Sequence, residues 1–137
     1  MEIQNITKSY KNDDNLVYSC QYHVVFCSKY RRAVLNDKIR IRLKELITEK
    51  QQEYKYTILE MEVLPDHVHL LLDVNPKDGI FRTVNLIKGY TSNILRKEFP
   101  TLKSKLPTLW TGSKFISSAG AVTLEAVKQY IDNQKGV

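Results

Sequence analysis

Two histidines near the middle of the chain have a spacing that suits metal binding. His67 and His69 flank one residue in the segment His-Val-His-Leu-Leu-Leu-Asp-Val. If this segment is a strand, side chains two residues apart project from the same face. Two neutral imidazoles placed side by side can hold one divalent ion and leave coordination positions open for phosphate oxygens. The spacing therefore indicates a metal site, with a pair of exposed surface histidines as the alternative.

A tyrosine near the end of the chain could act as a nucleophile. Tyr130 and Gln134 are four residues apart, so they share a face if this segment is helical. A phenolate that attacks a phosphodiester forms a covalent phosphotyrosine, which conserves the bond energy for rejoining. Because the ordinary pKa of tyrosine is ~10, a nearby cation or base must favour the phenolate. A metal on the two histidines would supply that cation, and the amide oxygen of Gln134 could be a third ligand. The alternative is that Tyr130 is an ordinary packing residue.

Three further side chains compete for a place in this site. His23 lies on the polar face of the first predicted strand and could replace Gln134 as the third ligand. Glu60 and Glu62 lie on the strand predicted to pair with the histidine strand. The strand register decides whether either carboxylate reaches the metal or instead orients a histidine.

The elements that position these residues follow from apolar periodicity and turn signals. Residues 1–15 are polar and are predicted to be flexible, with 12–15 as a loop. Strands are predicted at 17–27, 56–64, 67–74 and 114–118. Helices are predicted from Asn36 to about 54, from 78 or 79 to 99, and from 123 to about 134. A basic loop around 103–107 and a small-residue joint at 118–121 complete the chain.

This order predicts an α+β protein with a ferredoxin-like βαββαβ antiparallel sheet, plus a C-terminal helix that carries Tyr130. Both helices of such a fold pack on one sheet face and leave the other face free. Val68, Leu70, Leu72 and Val74 are expected on the helix-covered face. His67 and His69 are expected on the open face, where function should be sought.

Length and composition are those of one domain that spans residues 1–137 and binds a polyanion. The formal charge is +6 and the pI is about 9.3, a balance that favours association with phosphates. The sequence has no apolar run near the ~20 residues needed to cross a bilayer. It also lacks an apolar N-terminal signal, so we expect a cytoplasmic protein with no membrane partner and no nucleotide cofactor.

Basic residues in two places are candidates for DNA contacts. One cluster follows the first strand and mixes cations with an aromatic ring, which suits phosphate contacts and stacking on an unpaired base. The other lies on the second predicted helix. The candidates are Lys29, Tyr30, Arg31, Arg32, Lys88, Arg96 and Lys97.

The chain resembles the small single-tyrosine HUH transposases of bacterial and archaeal insertion sequences, the TnpA type. The HUH motif is two histidines that flank a hydrophobic residue, as in His67-Val68-His69. The family's nucleophile motif resembles Tyr130-Ile131-Asp132-Asn133-Gln134. The resemblance covers nearly all of the chain from residue 18 to 134, in order and at similar spacing. The segments that carry it are 22–26, 29–32, 66–71, 86–90, 95–100 and 130–134.

This resemblance implies a function in detail. His67, His69 and Gln134 would bind Mg²⁺ or Mn²⁺, and Tyr130 would cleave DNA to give a 5′-phosphotyrosine and a free 3′-OH. The substrates would be single-stranded DNA hairpins at the ends of an insertion element. The protein would be a homodimer with shared active sites, in which the histidine pair of one subunit meets the tyrosine helix of the other. The sequence leaves open whether the helix of this chain docks within its own subunit or across the dimer.

Other functions remain compatible with the sequence. A non-catalytic single-stranded nucleic acid binding module would need aromatic residues on the open sheet face, where the central hairpin instead has histidines and an acid. A domesticated relative would use the same chemistry on chromosomal repeats. A catalytically silent dimeric scaffold would not need the set of His67, His69 and Tyr130.

Overall fold

The structure is a computed structural model that describes residues 10–120 and 124–137. Residues 1–9 and 121–123 lie outside the described part, and with them most of the predicted N-terminal segment and the end of the predicted joint. The strands are β1 (Lys11–Asp13), β2 (Leu16–Tyr18), β3 (Gln21–Cys27), β4 (Tyr56–Val63), β5 (His67–Val74) and β6 (Phe115–Ser118). The helices are α1 (Asp37–Glu49), α2 (Ile80–Glu98), α3 (Pro100–Lys105) and α4 (Leu124–Asn133), with a short 3-10 turn at Lys29–Arg31.

The main sheet has four strands in the order β4-β5-β3-β6. Every neighbouring pair in it is antiparallel. The elements β3-α1-β4-β5-α2-β6 therefore form the predicted ferredoxin-like βαββαβ arrangement, and α4 is the predicted additional helix. The sheet places β5, which carries both histidines, in its interior between β3 and β4.

The hydrophobic core lies between the sheet and helices α1 and α2. On β5 it contains Val68, Leu70, Leu72 and Val74, as the alternation of the sequence predicted. Helix α1 contributes Leu43 and neighbouring apolar residues one or two turns away. Asn36 caps this helix as predicted, because its side-chain oxygen accepts a hydrogen bond of 3.1 Å from the amide of Ile39.

Three local predictions were wrong. The segment expected as a loop and the start of the first strand form a separate hairpin, β1-β2. Its two-residue turn begins at Asp14, whose left-handed φ of 51° is one that Asp tolerates. Helix α1 ends at Glu49 rather than near residue 54. Helix α3 replaces much of the basic loop, because Pro100 has the fixed φ that suits a first helical position.

The second face of the sheet is not open as expected. Its β5 side chains include His67, His69 and Leu71, and all three are buried. Helix α4 contacts β3 on this side, and Val127 of α4 has no exposed surface. The C-terminal helix therefore covers the histidine face, which makes the site an enclosed layer between sheet and helix.

Candidate active site

His67 has one ring nitrogen fixed and the other without a partner. Its Nδ1 lies 2.7 Å from Oδ1 of Asp66, which holds the ring in one orientation. Its Nε2 is buried and has no hydrogen-bond partner among the described residues. Buried polar atoms are nearly always satisfied, so this nitrogen suits a ligand such as a metal ion.

His69 and His23 form a buried pair on the neighbouring strands β5 and β3. His69 Nε2 lies 3.1 Å from His23 Nδ1, and the rings are nearly parallel, with centroids 5.2 Å apart. Burial lowers the pKa of His69 to about 4, with smaller contributions from His23 and His67. Burial also lowers the pKa of His23. His69 is therefore neutral at pH 7, the state in which imidazole binds metal.

The strand register places one acidic candidate opposite the histidines. Glu62 on β4 is the Cα partner of His69, whereas Glu60 pairs with Leu71, two residues further along the same register. Within the described ranges, no group of three or more His, Cys, Asp or Glu side chains is arranged to hold a metal ion. The described His, Cys, Asp and Glu side chains therefore do not by themselves form a site with three metal ligands.

Tyr130 lies in the layer between α4 and the edge strand β6. Its phenolic oxygen is 2.9 Å from the hydroxyl of Ser113, and its ring packs against Phe115 with centroids 5.5 Å apart. Burial raises the pKa of Tyr130, while the Ser113 hydrogen bond acts to lower it. The phenol is therefore protonated at neutral pH unless a cation stabilises the phenolate.

Gln134 follows Tyr130 by about one helical turn and is also buried. Only 8% of its surface is exposed, and its Oε1 has no hydrogen-bond partner among the residues described. An amide oxygen is a suitable ligand for Mg²⁺ or Mn²⁺. The unpartnered atoms of His67 and Gln134 therefore fit the donor set expected for a divalent ion. Neutral His69 fits it as well, although an ion on its Nε2 would replace the 3.1 Å contact with His23.

Arg31 joins the histidine strand to the tyrosine helix within one chain. Its Nε lies 3.3 Å from Oδ2 of Asp66, and its Nη1 donates to the carbonyl of Ile131 at 3.0 Å. The backbone amide of Tyr30 donates to the carbonyl of Val137 at 2.7 Å. The segment after β3 thus holds the end of α4 on its own subunit.

The predicted DNA-binding residues differ in how they are presented. Lys29 lies over the Tyr30 ring at 5.0 Å, and the Tyr30, Arg32 and Lys97 side chains are exposed. Arg96 donates to the carbonyl of Pro107 at 2.9 Å. These roles stay predictions.

Lys88 is the exception in this group because it is only 9% exposed. Its ammonium donates to the carbonyls of Thr111 at 2.7 Å and Ser113 at 3.2 Å. Burial lowers the pKa of Lys88 to about 8. Its observed contacts thus fix the loop that carries Ser113.

Sequence reasoning missed the roles of Asp66, Ser113 and Arg31 in this arrangement. Asp66 precedes His67 directly and was assigned no role of its own, although the frequent pairing of ligating histidines with carboxylates could have indicated one. Ser113 and Arg31 lie 17 and 100 residues from their partners on α4. No local signal in the sequence predicts either contact.

The structure combines a ferredoxin-like sheet, a pair of histidines on an interior strand, and a C-terminal helix that carries Tyr130 and ends directly before Gln134. Residues 16–134 match the family of IS200-like transposases, and the chain belongs to that family. It is therefore a DNA transposase. In the described part of the chain no helix is both long and apolar enough to cross a membrane.

Relatives agree with this assignment. The chain is 33% identical to the ISDra2 transposase TnpA of Deinococcus radiodurans over 126 residues, which is 90% of each chain. It is 29% identical to the transposase for insertion sequence element IS200 of Salmonella typhimurium over 119 residues, with 85% of this chain and 78% of the relative covered.

Solved structures show the same fold. A Deinococcus radiodurans crystal structure described as a transposase superposes with a TM-score of 0.84 at 31% identity, covering 93% of this chain and 99% of the other. A REP-associated tyrosine transposase bound to a REP hairpin has a TM-score of 0.55 at 15% identity, covering 94% of this chain and 68% of the other. The second likeness concerns the fold alone.

Proposed function

We propose that this transposase acts on single-stranded DNA and cleaves and rejoins the ends of an insertion element through a 5′-phosphotyrosine on Tyr130. The observation that supports this proposal is the packing of α4 on the sheet face that carries the histidines. Arg31 contacts both the carboxylate beside His67 and the carbonyl directly after Tyr130. These contacts support the proposal that the candidate nucleophile and metal ligands belong to one site.

The proposed reaction is a transesterification that conserves the number of phosphodiester bonds. The Tyr130 oxygen forms a bond to phosphorus, and the bond from phosphorus to the 3′-oxygen breaks. The departing 3′-oxygen takes up a proton, and the phenol gives up its own. Rejoining is the reverse attack by a 3′-OH, so no nucleotide cofactor is needed.

The proposed metal ligands are His67, His69 and Gln134, with Mg²⁺ or Mn²⁺ as the ion. When bound, such an ion would polarise the scissile phosphate and favour the phenolate. The residues themselves have separate tasks. Asp66 orients His67, and Ser113 holds the Tyr130 hydroxyl by a hydrogen bond.

The proposed substrate is a DNA hairpin at an element end. A protein of the same fold has been solved with a REP hairpin, and the charge of +6 on this chain favours a nucleic acid partner. Exposed Arg32 and Lys97, with Lys29 and Tyr30, are the proposed contacts. Excision needs two cleavages and one chain offers one nucleophile, so we propose a homodimer that supplies two tyrosines.

The test uses labelled single-stranded DNA that carries the hairpin from the end of the element encoding this chain. The protein is incubated with this DNA with and without Mg²⁺ and analysed on a denaturing gel. We expect a Mg²⁺-dependent covalent adduct that Tyr130→Phe abolishes. Tyr10→Phe is the matched control, because Tyr10 is exposed and outside the site, and it should form the adduct normally.

The alternative is a non-catalytic binding module on the same fold. With the correct end sequence, binding without any adduct would support that alternative and overturn the proposed chemistry. An adduct that persists in Tyr130→Phe would show that another residue is the nucleophile.

A further inference from the structure

We propose that Arg31 is a positioning residue that fixes the tyrosine helix against the histidine pair. The proposal deepens and rests on the function proposed above. It assigns Arg31 a role inside the site, whereas the sequence placed it among the possible DNA contacts.

The contacts of Arg31 form a continuous path through the site. Its Nη1 donates to the carbonyl of Ile131 at 3.0 Å, and its Nε lies 3.3 Å from Oδ2 of Asp66. The other oxygen of Asp66 lies 2.7 Å from Nδ1 of His67. One guanidinium therefore contacts both the helix that carries the nucleophile and the carboxylate that orients a metal ligand.

The point of contact on α4 lies between the two functional residues of the helix. Ile131 follows Tyr130 directly and precedes Gln134 by three residues, so its carbonyl belongs to the turn that carries both. This carbonyl also accepts a hydrogen bond of 3.1 Å from the amide of Gln134. Carbonyls in the last turn of a helix carry a partial negative charge, which a cation stabilises. Fixing this carbonyl fixes the height and rotation of both side chains relative to the sheet.

Arg31 is itself held in place by the segment from Ser28 to Arg32. The amide of Ser28 donates to the carbonyl of Asp66 at 3.0 Å, and the amide of Tyr30 donates to that of Val137 at 2.7 Å. This segment is therefore hydrogen-bonded both to the histidine strand and to the end of the chain. These backbone hydrogen bonds hold the Arg31 guanidinium between Asp66 and the carbonyl of Ile131.

The contacts to Asp66 and Ile131 suit arginine better than lysine. A planar guanidinium has several donors in a fixed fork and can serve the carboxylate and the carbonyl together, whereas a lysine ammonium is a point charge. The Arg31 side chain is only 22% exposed, so water competes less for these contacts than at an open surface. Asp132, 3.6 Å from the same guanidinium, is 78% exposed and contributes less.

The test compares Arg31→Ala and Arg31→Lys with the wild-type protein in two measurements. The first is the single-turnover rate of adduct formation at saturating hairpin DNA, with the DNA dissociation constant measured separately. The second is hydrogen exchange of the α4 peptide without DNA. Arg40→Ala is the control, because Arg40 pairs only with exposed Asp37 on α1 among the contacts seen.

We expect Arg31→Ala to slow adduct formation at saturating DNA by at least about tenfold, since small misplacements of reacting groups cost this much or more. DNA affinity should change by less than about threefold, the size of losing a weak surface contact. Exchange in α4 should be at least roughly fivefold faster, because a local contact of about 1 kcal/mol is lost. Arg31→Lys should slow adduct formation less and speed exchange in α4 less than Arg31→Ala does. It remains informative if Arg31→Ala fails to fold.

The proposal is overturned if both variants weaken DNA binding but keep the wild-type rate at saturating DNA and the wild-type exchange of α4. That result would show that Arg31 contacts DNA and does not position α4. If the wild-type protein forms no adduct, the proposed function fails. The exchange measurement would still decide whether Arg31 holds α4.

Discussion

The phenolic oxygen of Tyr130 lies 2.9 Å from the hydroxyl oxygen of Ser113, across the gap between helix α4 and the loop before β6. Lys88 on helix α2 fixes this loop, because its ammonium donates a hydrogen bond to the carbonyl of Ser113. The proposed nucleophile is therefore positioned by a residue that neither the histidine motif nor the tyrosine motif contains.

Ser113→Ala should slow adduct formation without weakening DNA binding. The Ser113 hydrogen bond acts to lower the pKa of Tyr130 against the raising effect of burial, so its loss makes the phenolate harder to form. One neutral hydrogen bond of about 1 kcal/mol corresponds to a rate loss of roughly fivefold. Single-turnover adduct formation at saturating DNA measures the effect.

Ser104→Ala is the matched control for this experiment, because Ser104 lies on α3 and its side chain donates a local hydrogen bond to the carbonyl of Thr101. It should react at the wild-type rate. A wild-type rate for Ser113→Ala would mean that Ser113 does not assist the phenol in the reacting complex.

Asp66→Ala should weaken metal binding although Asp66 is not a proposed ligand. Its carboxylate fixes Nδ1 of His67 at 2.7 Å and so aims the unpartnered Nε2. Loss of such an orienting carboxylate typically costs about 10- to 100-fold in metal affinity. Titration with Mn²⁺, followed by the free-ion electron paramagnetic resonance signal, measures the affinity without reference to activity.

The control for this prediction is Asp132→Ala, since Asp132 also lies near Arg31 but does not contact His67. Its Mn²⁺ affinity should equal that of the wild-type protein. Equal affinity for Asp66→Ala as well would show that packing alone orients the His67 ring.

Local pattern was enough to predict the histidine strand and the central hairpin. Side chains on a strand alternate between its two faces. The sequence pattern therefore placed Val68 and Leu70 on the core face and His67 and His69 on the opposite face. Only two residues separate the strands predicted at 56–64 and 67–74, so the two were expected to pair, and they pair antiparallel. These features depend on neighbouring residues and on elementary strand geometry.

The placement of α4 could not be predicted in the same way. A free sheet face was expected because the ferredoxin-like pattern itself contains only two helices. The contacts that bury the face, such as Arg31 to Ile131 across 100 residues, depend on how the last helix docks. The hairpin β1-β2 was missed because polar residues at Asp13 and Asp14 resembled a loop, and the strands that flank the turn are only three residues long.

Lys88 should make the stability of the protein depend on pH in the alkaline range. Burial lowers its pKa from the usual 10.5 to about 8, so between these values the unfolded chain binds the proton more tightly than the folded protein. The free energy of unfolding therefore rises with pH through this window. Below about pH 8 the folded protein pays the full cost of burying the ammonium.

The effect is measured by urea unfolding of the wild-type protein and of Lys88→Met at two pH values. From about pH 7.5 to pH 9 the wild-type protein should gain about 1 kcal/mol more stability than the variant. Comparison with a variant is needed because the pKa of Cys27, raised to about 11, acts in the opposite direction in both proteins. Lys97→Met, at an exposed site on the same helix, is the control and should keep the wild-type pH dependence. If the free energy of unfolding changed equally with pH in Lys88→Met and in the wild-type protein, the prediction would be contradicted.

Gln134 rather than His23 should be the third metal ligand. The Oε1 of Gln134 is buried and without a hydrogen-bond partner among the described residues, so a metal would satisfy it at little cost. The Nδ1 of His23 is already within 3.1 Å of His69 Nε2. Gln134→Ala should therefore lower Mn²⁺ affinity by about tenfold or more, while His23→Phe, which keeps a buried ring, should lower it much less.

Gln134→Glu separates loss of an oxygen ligand from loss of packing. A carboxylate keeps an oxygen at this position and is a good ligand for Mn²⁺, so this variant should retain affinity where Gln134→Ala loses it. Full affinity in Gln134→Ala together with loss in His23→Phe would assign the third position to His23. In that case the 3.1 Å separation of the two imidazole nitrogens would be the distance between neighbouring ligands of one ion, rather than a hydrogen bond that supports His69.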